Sequence, residues 1–352
     1  MASAEDSIRG DPPVGDQVAA LLAGTRICGD RHLPVSDSAA SEGGHDIFPW
    51  MSDLAAPRVG MSPPAVRLLV LGSTGMLGQA MLAQARARKW PCYGAARSGA
   101  ESSVDVTDPT ALETLVDEVR PSTIVNCVAI TDHADCEERP AFAYAVNARA
   151  PGLLAELSLD RGIDFVHVSS DHFFTGDGAA VHDEKARVRL VNEYARTKYA
   201  GEVFALTAPT TLAVRTNIVG LRRWPGRPTF VEWALDAVEN DRPLTLFEDF
   251  FTSSMHSRAC STAILDLIQM RTRGLVNIAS SQVASKREFV QAIAWALGVD
   301  LSRVSGGSVR ALIPRRAESL GLDVSCAEGI LGRRLPDLQD TIRAVVEEYR
   351  GL

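Results

Sequence analysis

The chain has 352 residues, 46% hydrophobic and 23% charged, enough apolar material for one large or two ordinary folded units. Thirty-six basic against 44 acidic residues leave a net charge of −8, which excludes a basic field for nucleic acid or for an anionic membrane surface. No apolar run approaches the roughly 18 residues of a spanning helix, so neither nucleic acid nor membrane is expected as a partner.

Residues 1–64 hold seven of the 18 prolines and no sustained periodicity. They predict a flexible extension, with only Val14–Leu22 hinting at a short helix. Glu5 and Asp6 speak against a secretory leader or a transit peptide, and Met51 or Met61 offers an alternative start. From Val66 the pattern alternates. A strand Val66–Leu71 leads through a glycine turn, Gly72–Gly78, into a helix Met76–Lys89 and a strand Cys92–Ala96. Asp108 and Pro109 open a helix to about Val119. Strand Thr123–Cys127, helix Ala141–Leu159, strand Phe165–Ser169, helix Asn192–Leu206 and strand Thr211–Arg215 follow. Strands alternating with helices of this length predict an α/β protein with a doubly wound parallel sheet. Beyond Arg222 the expected elements are helix Phe230–Glu239, strand Leu244–Phe247, helix Thr262–Met270, strand Leu275–Ala279, helix Lys286–Leu297 and helix Leu338–Tyr349. The expected division is a Rossmann domain over 65–222 and a smaller α/β substrate-binding region over 223–352, with the chain crossing between lobes.

The turn reads Gly72-Ser73-Thr74-Gly75-Met76-Leu77-Gly78. The first glycine allows a tight turn, the second a close approach of backbone to pyrophosphate, and the third close packing of helix on sheet. The helix start then offers unpaired N–H groups to phosphates. An NAD site commonly has an acid at the end of the second strand. Here that strand ends Ala95-Ala96-Arg97-Ser98, and the Arg97 fork suits a 2′-phosphate. NADPH is therefore the expected cofactor, with NADH tolerated.

Tyr194 and Lys198 lie four apart on one helix face, and Ser170 follows a strand at the ligand-binding edge of the sheet. Carbonyl reduction needs such a set. Ser170 can hydrogen-bond the substrate oxygen, Tyr194 can give the proton, and Lys198 can lower the tyrosine pKa and hold the cofactor ribose. Arg222, Arg223 and Arg227, beside Trp224, could hold a nucleotide diphosphate or belong to a solvated loop. The segment Phe247–Phe251 is expected to enter the substrate cleft. Asp132, His133, Asp135 and Cys136 look like a metal cluster but read better as capping and solvated groups, so no metal is expected. Six cysteines without CxxC or zinc-ligand spacing suggest reduced thiols in a cytoplasm.

At this point the chain resembles the extended short-chain dehydrogenase/reductases, and within them the dTDP-4-dehydrorhamnose reductase family. The likeness runs over about Val66–Tyr349. It is carried by the glycine turn, Asp105-Val106, Asn126-Cys127-Val128-Ala129, Thr131-Asp132, Val146-Asn147-Ala148 and Ser169-Ser170-Asp171 with Phe173-Phe174-Thr175-Gly176. Tyr194–Lys198 with Ala200-Gly201-Glu202, Arg215-Thr216 and Leu331–Pro336 complete it. The resemblance implies cofactor contacts at Gly72, Ser73, Thr74, Gly75, Met76, Leu77, Gly78, Arg97, Asp105, Val106, Cys127, Ala129, Thr131, Tyr194 and Lys198. It implies substrate contacts at Thr131, Asp171, His172, Asn217 and Arg222, a nucleotide-sugar substrate, reduction of a 4-keto group, and a homodimer as the common assembly. Three departures stand out. His172 replaces the family's tyrosine, either as a pH-sensitive substrate contact or as a space filler. Asn217-Ile218-Val219-Gly220 lacks the family's aromatic residue, and Phe251–Met255 lacks its Ser-Pro. The rival readings are an epimerase or dehydratase of the same superfamily, a reductase of a small carbonyl, and a non-catalytic NADP-binding regulatory subunit.

Overall fold

The computed structural model describes residues 66–224 and 228–351. The expected extension, its short helix and Arg227 lie outside the described residues. Seven parallel strands form the large sheet: β1 Leu68–Leu71, β2 Cys92–Ala96, β3 Ser102–Ser103, β4 Thr123–Asn126, β5 Asp164–Val168, β6 Thr211–Arg215 and β7 Gly274–Asn277. Their order is β7-β6-β5-β4-β1-β2-β3, which reverses direction between β1 and β4. Open α/β sheets bind ligands outside the strand ends at such a reversal.

The helices are α1 Met76–Ala87, α2 Pro109–Val119, α3 His133–Glu138, α4 Pro140–Tyr144, α5 Ala150–Arg161, α6 Glu193–Ala205, α7 Phe230–Glu239, α8 Ser257–Gln269, α9 Lys286–Leu297, α10 Ser325–Leu331 and α11 Leu338–Arg350. Leu77, Met81 and Ala85 of α1 and Cys260, Ile264 and Leu267 of α8 pack in one apolar cluster on one sheet face. Leu112 and Val116 of α2 and Leu154 and Leu157 of α5 pack on the other. The apolar strands are thus buried from both sides.

Helix α1 ends before Lys89, because Lys89 takes a left-handed φ of 59°. Helix α8 starts five residues earlier than its apolar pattern suggests, with His256 Nδ1 accepting from the Arg258 N–H as a cap. The expected helix over 141–159 is instead α4, a π-turn Ala145–Arg149, and α5. Pro151 has no N–H to return to the Asn147 carbonyl, so the regular ladder is interrupted at that turn.

The smaller lobe holds a four-stranded sheet ordered Ala284–Ser285, Phe251–Thr252, Ser319–Leu322, Val181–His182. Two further ladders join Ile218–Val219 to Met255–His256 and Leu244–Phe247 to Val304–Gly307. Val231 and Leu235 of α7, Phe289 and Ile293 of α9, and Ile342 and Val345 of α11 share its core. Chain order and sheet membership do not coincide. Strand β7 comes from late in the chain yet joins the large sheet, while Val181–His182 joins the small one. Among the described residues no helix is long and apolar enough to cross a membrane.

Candidate active site

The glycine turn is fixed by steric exclusion. Gly72 has φ 76°, and a Cβ there would stand 3.0 Å from the Cys127 carbonyl carbon. A Cβ on Gly78 would stand 2.2 Å from the Gly72 oxygen. The first turn of α1 holds no acidic residue, and its N-cap, Gly75, supplies no side-chain hydrogen bond. The leading N–H groups of α1 are left for an outside acceptor, and the helix end favours negative charge. A dinucleotide pyrophosphate fits this turn.

A cleft of about 560 Å³ runs from the turn across the ends of β4, β5 and β6. Gly75, Met76, Leu77, Gly78, Arg97, Cys127, Ala129 and Thr131 line it from the expected cofactor set. Ser73 and Thr74 line an adjacent cavity of about 650 Å³ with Ser98 and Gly99. Asp105 and Val106 line neither. Val106 is buried in the core, and the Asp105 carboxylate accepts from the N–H and hydroxyl of Thr107, which hold its pKa low. Glu101, which spacing alone did not single out, borders the adjacent cavity, where Arg86 and the Gly94 N–H engage its carboxylate.

Ser170, Tyr194 and Lys198 meet in the cleft. Asn192 Oδ1 accepts from the Ala195 N–H and caps α6, which carries Tyr194 and Lys198 on one face. Helix α6 is seated by Asn147 in the π-turn, whose Nδ2 donates to Thr197 Oγ1 at 3.1 Å. At Gly201 there is no room for a side chain, since a Cβ would lie 1.9 Å from the Asn147 carbonyl oxygen. Tyr194 Oη donates to Ser170 Oγ at 3.3 Å, and Lys198 Nζ donates to the Val168 carbonyl at 2.7 Å. All three residues are buried. Four residues beyond Lys198, Glu202 accepts from Arg215 and from Ser169 Oγ at 2.6 Å, tying α6 to the ends of β5 and β6.

The electrostatics correct one expectation. Burial pushes the Tyr194 phenol up; the Ser170 hydrogen bond opposes this, while Asp171 and Cys136 add to it. Lys198 does not lower it here. Its ammonium is drawn to the Val168 carbonyl, and burial lowers Lys198 itself to about 8, against the pull of Glu202.

The expected substrate residues Thr131, Asp171, His172, Asn217 and Arg222 all line the cleft. Asn217 is engaged on both sides, donating to Asp171 Oδ2 at 2.6 Å and accepting from Ser254 Oγ at 2.7 Å. Burial raises Asp171 to about 7. Arg222 stacks on Trp224 at 4.6 Å. Phe250 from the expected cleft segment meets His172 edge-on at 6.3 Å. Asp132 caps α3, and His133 turns inward instead of joining a metal set. Its Nε2 lies 3.4 Å from His172 Nδ1, and its ring lies 4.7 Å from Tyr194. Burial lowers His133 to about 4 and His172 well below its ordinary value, with the charges of Arg316 and Lys286 adding to the burial of His172. Both rings are neutral near pH 7, so His172 is not a titrating contact in that range. Lys286 and Arg316 come from remote segments, and no local motif marks them.

Three likenesses to known proteins bear on this site. A 30% identity over 288 residues, 78% of this chain and 96% of the relative, links it to the probable low-salt glycan biosynthesis reductase Agl14 of Haloferax volcanii. The dTDP-4-dehydrorhamnose reductase of Mycolicibacterium smegmatis is 29% identical over 68% of this chain and 72% of its own. The crystal structure of Bacillus anthracis dTDP-4-dehydrorhamnose reductase in complex with NADP superposes with a TM-score of 0.72 at 22% identity, covering 80% of this chain and 99% of that one, a likeness of fold. The family model described as the RmlD substrate binding domain matches residues 66–350. With the glycine turn, the cleft and the Ser170–Tyr194–Lys198 set in place, the chain belongs to the RmlD substrate binding domain family, within the extended short-chain dehydrogenase/reductases.

Proposed function

We propose that the protein is an NADPH-dependent reductase acting on the 4-keto group of a deoxysugar nucleotide. The carrying observation is the Tyr194–Ser170 hydrogen bond at the strand-end edge, in the same cleft as an uncapped glycine-turn helix. The turn and α1 would hold the pyrophosphate, Arg97 the 2′-phosphate, and Lys198 the nicotinamide ribose. When bound, NADPH supplies the hydride. The Ser170 and Tyr194 hydroxyls lie 3.3 Å apart, so that one carbonyl oxygen could accept from both. Burial keeps the Tyr194 phenol protonated at neutral pH, the form a proton donor needs. As negative charge develops on that oxygen, Tyr194 gives up its proton while Ser170 holds the oxygen in place. Lys198, held against β5 through Val168, lies one turn behind the tyrosine, where its ammonium would reach the ribose hydroxyls of the bound cofactor.

In this reading the large sheet carries the cofactor and the small lobe closes over the sugar. His172 denies a dehydratase the glutamate it usually places after the Ser/Thr-Asp pair. Among the described residues the cysteines are free thiols, which suits a cytoplasmic setting. The test is NADPH oxidation with a panel of 4-keto-6-deoxy sugar nucleotides. Tyr194→Phe should lower kcat by about 1,000-fold while NADPH affinity stays within about 3-fold. Tight NADPH binding without turnover on any of these sugars would instead favour the regulatory subunit or an epimerase that recycles its cofactor.

A further inference from the structure

Two histidines from different segments meet beside the Ser170 and Tyr194 hydroxyls. His133 stands at the start of α3 and is buried. His172 comes from the segment after β5 and lines the cleft. His133 Nε2 lies 3.4 Å from His172 Nδ1, so one ring donates and the other accepts. The His172 ring stands edge-on to Tyr194 at 5.4 Å, and the His133 ring lies 4.7 Å from the same tyrosine. The backbone N–H of His172 donates to Ser170 Oγ at 3.2 Å. His172 is thus tied to both residues whose hydroxyls would meet a substrate carbonyl.

The direction of that hydrogen bond follows from its surroundings. Burial keeps both rings uncharged, and the charge of Arg316 acts the same way on each. Asp132 opposes this at His133 and does not overcome it. A neutral imidazole carries one N–H, so each ring has one donor and one acceptor. The backbone carbonyl of Thr131 bonds to the His133 ring, and a carbonyl only accepts. With Nε2 turned to His172, the nitrogen left for that carbonyl is Nδ1, which therefore holds the His133 proton. His133 Nε2 is then bare, and His172 Nδ1 donates to it. This leaves His172 Nε2 without a proton. Among the described residues no donor is bonded to it, and Asp171 Oδ1 stands 3.9 Å away, beyond hydrogen-bond reach. A hydroxyl at this place could donate or accept, whereas a bare imidazole nitrogen only accepts.

We infer that His133 is a positioning residue that fixes His172 as a hydrogen-bond acceptor on the substrate side, and that this acceptor selects a sugar with a free hydroxyl on C3, beside the 4-keto group. The inference rests on the 4-keto reductase reading above and narrows its substrate class. Of the two carbons next to the keto group, C5 carries the ring oxygen and the methyl group, so the hydroxyl is on C3. An acceptor left unpaired by an analogue without that hydroxyl disfavours it. Two measurements test the inference. The first is ring nitrogen–proton NMR on the full chain with isotope-labelled histidine near pH 7, assigned with His133→Gln and His172→Gln. Both residues should carry the proton on Nδ1, and a proton on His172 Nε2 overturns the assignment. The second is NADPH oxidation with thymidine-diphosphate 4-keto-6-deoxyglucose and its 3-deoxy analogue. Wild type should favour the hydroxyl-bearing sugar by about 30-fold in kcat/KM. His133→Leu should cut that ratio to about 3-fold or less, while His133→Gln, whose amide oxygen can accept in place of Nε2, should keep most of it. A wild-type ratio within about twofold, or an equal ratio in wild type and folded His133→Leu, overturns the selection. If His133→Leu fails to fold, the wild-type ratio and the ring protons decide. Failure of the wild type to reduce any 4-keto sugar nucleotide overturns the functional reading instead, and the ring protons, read on the free protein, stand apart from that failure.

Discussion

The glycine turn and the wall opposite it border one cleft but are built in different ways. The turn is seven consecutive residues, and its shape follows from where a Cβ cannot go. The wall gathers Asp171, His172, Asn217 and Arg222 from separate segments, and its character lies in side-chain charge and shape. Backbone geometry recognises what every cofactor of the class shares, a pyrophosphate. Side chains recognise what differs between substrates. The first can stay constant while the second changes, which accounts for an intact Ser170–Tyr194–Lys198 set beside altered sugar-facing positions.

The sharpest way to break this contrast is Gly78→Ala. The added carbon would lie 2.2 Å from the Gly72 oxygen and 2.7 Å from the Ser73 Cα, both backbone atoms that cannot step aside cheaply. NADPH affinity should fall by about 100-fold or more, with a loss of roughly 3 kcal/mol in stability. Fluorescence titration and a thermal melt read both, and near-wild-type NADPH binding would sink the steric account of the turn.

A smaller effect is expected where the turn's surroundings use a side chain. Arg97 lines the cleft beyond β2. Arg97→Gln should cut the preference for NADPH over NADH by about 10-fold while leaving NADH affinity unchanged. An unaltered preference would mean that the 2′-phosphate is read elsewhere.

The smallest effect belongs to the wall. The folded protein holds Asp171 protonated up to about pH 7, whereas its ordinary value is 3.8. Stability from this group is therefore complete below about pH 4 and is lost as pH rises through about 7. Asp171→Asn keeps an acceptor for Asn217 and removes the titration. Between pH values of about 5 and 7.5, the fall in melting temperature should shrink by about 3 °C relative to wild type. Parallel curves would show that Asp171 ionises normally.

The contrast also explains how far the sequence could be read. Strands β1, β4, β5 and β6 are apolar runs buried from both sides, and their period and length are local properties. The glycine turn is local too, and Tyr194 and Lys198 need only the helix repeat to share a face. By contrast, β3 is two serines, and Phe251–Thr252 is a strand only because Ser319–Leu322 and Ala284–Ser285 flank it. No window on the sequence holds that information. The same is true of His133, whose nearness to His172 depends on packing between distant segments. The expected influence of Lys198 on Tyr194 failed for a related reason, since the ammonium's preference for the Val168 carbonyl depends on tertiary geometry.

The crossing of the chain between its two sheets bears on how the molecule is made. Val181 pairs with Gly321 and Leu212 with Gly274. A nascent chain that has already shaped the glycine turn carries an unsatisfied edge on β6 until Gly274–Asn277 emerge, and another on Val181–His182 until Ser319–Leu322 emerge. Exposed edges invite pairing with other chains. Premature termination before Ser319 would therefore yield a product able to form its phosphate-binding turn yet prone to aggregate.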